Sequence, residues 1–214
     1  GTTNVTVSAV TAGDANAANN TKVWHQTVTT NAAFYKDSTL ADVGGVGFNG
    51  GTGDFVEKFT NTVPGQSINE VNVNFFAGGQ PYQLGIWNSD GHGKPGTNVY
   101  TSPSSLTAVA GSNNITLPNV VVADTFFVGV RQTGTTNVSF AYQSETPPRS
   151  GHFFFTAPTG GTTWTDFAST GSAFRFSLQV KYHIPVPPNC ATNLQPVDGG
   201  NKCSNVDLTW QSGG

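Results

Sequence analysis

The chain has 214 residues, a formal net charge of −3 and only 10% charged residues, under half the usual share of about 25%. No apolar stretch approaches the roughly 20 residues of a membrane-spanning helix, and 15 Phe, 5 Tyr and 4 Trp supply too much core-forming area for a disordered chain. The 9 basic residues are scattered, which excludes a nucleic-acid surface and a polybasic membrane patch. Twenty-nine Thr and 20 Asn stand in for the missing charge, and these residue types favour strands and turns over helices.

Period-two alternation recurs along the chain, while helical periodicity is nearly absent. The stretch 14–21 is Ala/Asn-rich but lacks an apolar stripe. Strands are predicted at 5–10, 22–28, 43–48 and 55–60. Val71, Val73 and Phe75 then alternate with Asn72 and Asn74, followed by strands at 82–87, 98–101 and 114–117. Phe126, Val128 and Val130 alternate with Phe127, Gly129 and Arg131; Val138, Phe140 and Tyr142 form a similar run, and a strand at 152–155 follows. The clearest pattern is 173–182, with Phe174, Phe176, Leu178, Val180 and Tyr182 on one face and Arg175, Ser177, Gln179 and Lys181 on the other. Turn signals such as Pro64-Gly65, Gly78-Gly79, Asp90-Gly91 and Gly160-Gly161 separate the runs.

Many short strands, dense turns and no crossover helices predict an all-β fold, a two-sheet antiparallel jelly-roll-like β-sandwich. Residues 22–184 are assigned to it. Residues 1–21 form an N-terminal strand or linker, open to being part of the sandwich. Three prolines within 183–189 make 185–189 a stiff spacer. Cys190 and Cys203 lie close in sequence beyond the spacer. A local disulfide, which implies an oxidising compartment, and two reduced thiols are both open there. With no Cys or His partners nearby they make a poor zinc site.

The order of motifs resembles the β-sandwich accessory domains of large secreted and surface proteins of Bacteroidota, substrates of type IX secretion. It runs from Gly47-Phe48 and Phe55-Val56-Glu57-Lys58-Phe59 through 68–75 to Gly79-Gln80-Pro81-Tyr82-Gln83-Leu84-Gly85-Ile86-Trp87. Asp90-Gly91-His92-Gly93-Lys94-Pro95-Gly96-Thr97, the stretch 126–134, Trp164 and the strand 174–180 complete it, so that the likeness covers roughly 30–182. Residues 190–214, with Pro196-Val197-Asp198-Gly199 and Leu208-Thr209-Trp210, resemble the first strands of a fibronectin type III or immunoglobulin-like module. Such a module normally takes about 100 residues. The chain is therefore expected to be one domain plus the start of the next. The resemblance implies a non-catalytic module at the cell surface or secreted; it implies no particular ligand.

Candidate sites each carry two readings. Asn88 and Asp90, two apart before Gly91, supply oxygens of the kind Ca²⁺ binds, with Asp37, Asp42 and Asp54 as further donors. The competing reading is a polar hairpin loop. Trp164, Trp87 and Tyr142, and more weakly Trp24 and Tyr35, are candidate sugar-stacking rings, with packing as the alternative. Arg131 and Arg175 are candidates for cross-strand ion pairs. His25, His92, His152 and His183 are isolated, and neither Gly-x-Ser-x-Gly nor His-Glu-x-x-His occurs. A non-enzymatic module of a surface adhesin or filament-forming protein is the first functional expectation. Its partners would be neighbouring domains, further copies of itself or surface glycans. A carbohydrate-binding module appended to a secreted hydrolase or protease is the alternative.

Overall fold

The computed structural model describes residues 2–9, 12–13, 15–16, 20–27, 29, 31–61 and 64–184, with the side chains of 2–4 and 22–27 left out. In chain order the strands are β1 (Thr2–Ser8), β2 (Thr21–Thr27), β3 (Ala32–Phe34), β4 (Gly44–Val46), β5 (Gly53–Thr60), β6 (Ser67–Phe75), β7 (Pro81–Ser89), β8 (Pro95–Thr101), β9 (Leu106–Thr107), β10 (Gly111–Val121), β11 (Thr125–Gln132), β12 (Phe140–Ser144), β13 (Phe153–Thr156), β14 (Thr165–Asp166), β15 (Phe174–Phe176) and β16 (Leu178–Tyr182). One 3₁₀ turn, Phe167–Thr170, is capped by the Asp166 side chain at its start and by left-handed Gly171 at its end.

Two seven-stranded antiparallel sheets form the sandwich. Sheet I runs β15-β12-β6-β16-β3, with β10 also on β6 and β4 also on β12. Sheet II runs β14-β13-β5-β11-β7-β8, with β9 on β7. The predicted all-β sandwich is the observed fold. Its core interleaves Val71, Val73, Leu178 and Val180 of sheet I with Phe55, Leu84, Ile86 and Val128 of sheet II, all at most 1% exposed. Alternation set this arrangement, because every second residue of each strand turns toward the facing sheet.

Two expectations change in detail. The stretch 173–182 is two strands, because it passes from one neighbour to another at Ser177. Phe174–Phe176 pairs with β12, and Leu178–Tyr182 pairs with β6 and β3. The Ser177 N–H donates to Ala141 O at 2.9 Å and its carbonyl accepts from Asn74 N at 2.9 Å, so one residue bonds both neighbours. The second change concerns 22–28, placed in the sandwich on sequence grounds. Thr21–Thr27 instead pairs along its whole length with Thr2–Ser8 as a separate two-stranded sheet. Each strand completes the other's ladder, and Val5 and Val7 stay 41% and 53% exposed. The spacer 185–189, Cys190, Cys203 and the fibronectin-like stretch 190–214 lie outside the described residues.

Candidate functional site

The outer face of sheet I is polar and in register. Asn114 on β10, Asn72 on β6, Gln179 on β16 and Phe34 on β3 stand side by side across four strands. At the strand spacing of about 4.8 Å this row spans roughly 14 Å. The next row is Thr116, Glu70, Lys181 and Ala32, where Lys181 and Glu70 pair at 2.5 Å. A third cluster holds Ser112 opposite Asn74, and Asp42 accepts from Asn74 Nδ2 at 3.3 Å and from the Ser177 hydroxyl. Asn72 Nδ2 donates to Ser112 Oγ and to Asn114 Oδ1. Glu70, Asn72, Asn74, Gln179 and Lys181 are half-buried, and Ser112, Asn114 and Thr116 are exposed. Within these rows, Lys181 and Glu70 neutralise each other. Amides donate and accept at once, as hydroxyl-rich ligands require.

Sheet II has the opposite outer face. Val56, Trp87, Phe127, Phe154 and Trp164 form a second buried apolar cluster there. Gly129 and Gly85 face each other in register beside Val56, and a Cβ on Gly85 would lie 2.2 Å from the Trp87 ring. The missing Gly85 side chain thus leaves the room in which the indole lies, while a Cβ on Gly129 would meet the Phe55 and Val56 backbone. Trp164 closes the cluster edge-on to Trp87 at 5.6 Å, while its carbonyl accepts from Lys94 Nζ at 3.3 Å. Trp164 and Trp87 are 5% and 4% exposed. Neither presents an open ring to a sugar, and packing is the reading the structure shows. Arg131 stacks over Trp87 at 5.7 Å and pairs with buried Asp54 at 3.1 Å, the structural use expected of it. Burial raises the Asp54 carboxyl above its ordinary value, against the pull of the Gly160 N–H and of Arg131. Tyr142 lies on the inner side of β12, its ring 4.1 Å from that of Phe174, and so packs rather than projects.

The candidate calcium residues do not converge. Asn88 Oδ1 accepts from Ala123 N at 3.2 Å. Asp90 Oδ1 accepts from His92 N at 2.8 Å and Lys94 N at 3.0 Å, closing the β7–β8 hairpin. Those Lys94 and His92 N–H groups hold the Asp90 carboxyl below its ordinary value. Asp37 accepts from Thr39, Asp42 is held by sheet I and Asp54 by Arg131 on sheet II. Among the described residues, no three His, Cys, Asp or Glu gather into a metal-binding group.

Sequence reasoning did not single out Glu57. It faces inward on β5 between Phe55 and Phe59, opposite Phe153, and is 0% exposed. No side chain hydrogen-bonds its carboxyl oxygens, and the Tyr35 backbone N–H stands beside them. Burial drives its pKa well above the ordinary carboxylate value, and Glu145 adds to the shift. The Tyr35 backbone N–H, Arg149 and Arg175 oppose it. The signal in the sequence was a lone acid at an inward position of Phe55-Val56-Glu57-Lys58-Phe59. Arg131 with Asp54 shows a similar surprise, since both outward positions prove to be covered.

No family model matches the chain, and no curated protein matches it. Among solved structures, the chain is similar to the crystal structure of the cysteine protease and lectin-like domains of Cwp84, a surface-layer-associated protein of Clostridium difficile. The TM-score is 0.52 and the identity 12%, over 74% of this chain and 37% of that one. It is also similar to a clostridial Cwp84 cysteine protease after propeptide cleavage, with a TM-score of 0.53 and 11% identity over 78% of this chain and 44% of the other. The chain thus spans less than half the length of either. The matched part is the lectin-like domain, not the cysteine protease domain. At this identity the likeness concerns the fold alone, an all-β sandwich.

Proposed function

We propose that residues 31–183 form a non-catalytic, glycan-binding accessory module of a secreted or cell-surface multidomain protein, and that the open face of sheet I is its binding surface. The observation that carries this reading is the row Asn114, Asn72, Gln179 and Phe34. Three uncharged amides end in one aromatic ring, on a face whose main ion pair is already internal. A neutral, hydroxyl-rich chain matches it better than an anionic one, because Lys181, the cation within the rows, is already paired with Glu70. The resemblance to the lectin-like domain of a surface-layer protein agrees with this surface role. The motif series from Gly47 to Val180 further supports a parent of the Bacteroidota surface-protein type, exported by type IX secretion, with a fibronectin-like module following.

A glycan array that includes neutral polysaccharides tests the reading. Saturable binding is expected, with loss of about tenfold or more in affinity, ~1.4 kcal/mol, on Gln179→Ala. Absence of binding to every glycan overturns it. The sequence-derived adhesin or filament reading then takes its place, and one observation favours that alternative. Edge strand β10 pairs only with β6 among the described residues and carries no charged side chain, so its stretch 111–116, ahead of the Pro118 bulge, lacks a charged guard against edge-to-edge pairing. Concentration-dependent self-association in sedimentation would mark that outcome.

A further inference from the structure

We propose that Glu57, with Tyr35, Arg149 and Glu145, forms a proton-controlled latch that holds edge strand β3 on the sandwich. β3 is three residues long and pairs with β16 alone among the described residues, through Gln179↔Phe34, Val180↔Ala33 and Lys181↔Ala32. The residue that follows it supplies much of its anchorage. The Tyr35 ring packs 5.8 Å from Phe59, 6.3 Å from Phe153 and 5.4 Å from His152. The Arg149 guanidinium covers it at 4.9 Å and is itself tied to Glu145 Oε1 at 2.5 Å and 3.1 Å.

Glu57 is enclosed by the same groups. Tyr35 faces it from the segment after β3, Glu145 from the end of β12, Arg149 from the loop before β13 and Arg175 from β15. His152 stands on the far side of the Tyr35 ring, Tyr182 of β16 interacts with Tyr35, and Lys58 turns to the other side of β5. Among the described residues, six buried side-chain polar atoms lack a partner, and four belong here: both oxygens of Glu57, Glu145 Oε2 and Arg175 Nε. Such a concentration marks a place where the closed packing is bought at the expense of polar satisfaction.

A protonated Glu57 tolerates that enclosure. An ionised one does not, because a fully buried anion with only the Tyr35 backbone N–H beside it costs far more than a neutral acid. The anion gains water most directly if Tyr35 lifts, and Tyr35 carries β3 with it. A cleft of about 260 Å³ lined by Ala32, Ala33, Phe34, Tyr35, Phe59 and Thr60 already separates this edge from β5. The closed state's advantage is complete below the ordinary glutamate value. It falls as pH rises from there toward the closed state's own, higher value. β3 also carries Phe34, the last member of the polar row. The latch therefore bears on the open face, and only this second link rests on the glycan reading.

Amide hydrogen exchange on the 214-residue chain, from about pH 5 upward, tests the latch. After correction for hydroxide catalysis, the opening constant of the β3–β16 amides is expected to rise about tenfold per pH unit, as release of one proton requires. Glu57→Gln should abolish the slope, and Glu70→Gln, on the open face, should keep it. A flat wild-type profile, or an unchanged slope in Glu57→Gln, overturns the proposal. Should Glu57→Gln fail to fold, the Glu57 carboxyl ¹³C shift in the wild-type chain decides the matter: titration at an ordinary glutamate pH overturns it. Retention on a neutral glycan over the same pH range reads the second link. Opening without loss of retention overturns that link and leaves the latch supported; no retention at any pH overturns the glycan reading alone.

Discussion

The two sheets share a core but differ in what covers their backs. Sheet II is enclosed on both faces: β5 and β11 bury five residues in succession, and Trp164 lies over the outer cluster with Trp87. Along β6 and β16, sheet I buries only its inner face. Along β6, Val71, Val73 and Phe75 are buried while Asn72 and Asn74 stay half-open. A sheet enclosed on both faces is scaffold, with its specificity spent on packing. A sheet enclosed on one face can hold its outward side chains rigidly while leaving them accessible, which is what a recognition surface needs. The tryptophans that looked most like ligand platforms belong to the scaffold, and the uncharged amides are on the accessible side.

The largest effect should come from uncovering sheet II. Trp164→Ala removes the lid of the outer cluster, and loss of a buried Trp costs about 3–5 kcal/mol. Chemical denaturation should show that drop, while glycan affinity of the fraction still folded stays near wild type. A loss of affinity with stability intact would instead move the recognition surface to sheet II and invert the comparison. Next is Arg131→Gln, which leaves Asp54 buried with one donor fewer. About 2–3 kcal/mol of stability should go. Asp54, already shifted upward by burial, should shift further, so the deficit should grow as pH rises above the ordinary aspartate value and shrink in acid.

How much of the fold was legible in the sequence follows from the same contrast. Strands with one polar face announce themselves by alternation. The run from Phe174 to Tyr182 gave its inward face correctly, since Phe176, Leu178 and Val180 are fully buried. Strands covered on both faces lose the alternation. Phe126-Phe127-Val128 reads the same whether its outer face meets solvent or Trp87 and Phe154, and the lid at Trp164 arrives from 37 residues beyond Phe127. The lone Trp164 in a Gly/Thr stretch looked exposed for that reason. Asn72 and Gln179 were legible as outward, but only strand register shows that they stand side by side with Asn114 and Phe34. Glu57 was hidden because one inward acid in a Phe-rich strand gives no hint of Arg149 and Arg175, which approach from other elements.

The third effect separates the core from both outer faces. Glu57→Gln keeps the shape and removes the group that resists ionisation. Because the folded-state carboxyl is raised, the wild type is penalised as pH climbs above the ordinary glutamate value. The variant should therefore be more stable at neutral pH, by about 1–2 kcal/mol. The difference should vanish in acid, where Glu57 is neutral in folded and unfolded chains alike. Melting curves across pH would show the two stabilities converging downward; parallel curves would mean that Glu57 is already ionised and satisfied.

The smallest effect on stability bears most on function. Asn72→Ala deletes a side chain at the centre of the polar row. Its two hydrogen bonds, to Ser112 and Asn114, lie on the exposed side of the sheet, where water replaces lost partners, so about 0.5–1 kcal/mol is the expected cost. The backbone ladder and the inward Val71 and Val73 are untouched. On the recognition side nothing replaces the amide: a hydroxyl of the bound chain meets a methyl group, and its own desolvation goes uncompensated. Affinity should fall about tenfold or more while the melting temperature moves by only a few degrees. Trp164→Ala should do the reverse, and measuring both variants by denaturation and glycan binding tests whether the two sheets divide the work. If Asn72→Ala unfolds the domain as readily as Trp164→Ala, the polar face is part of the scaffold too and the division fails.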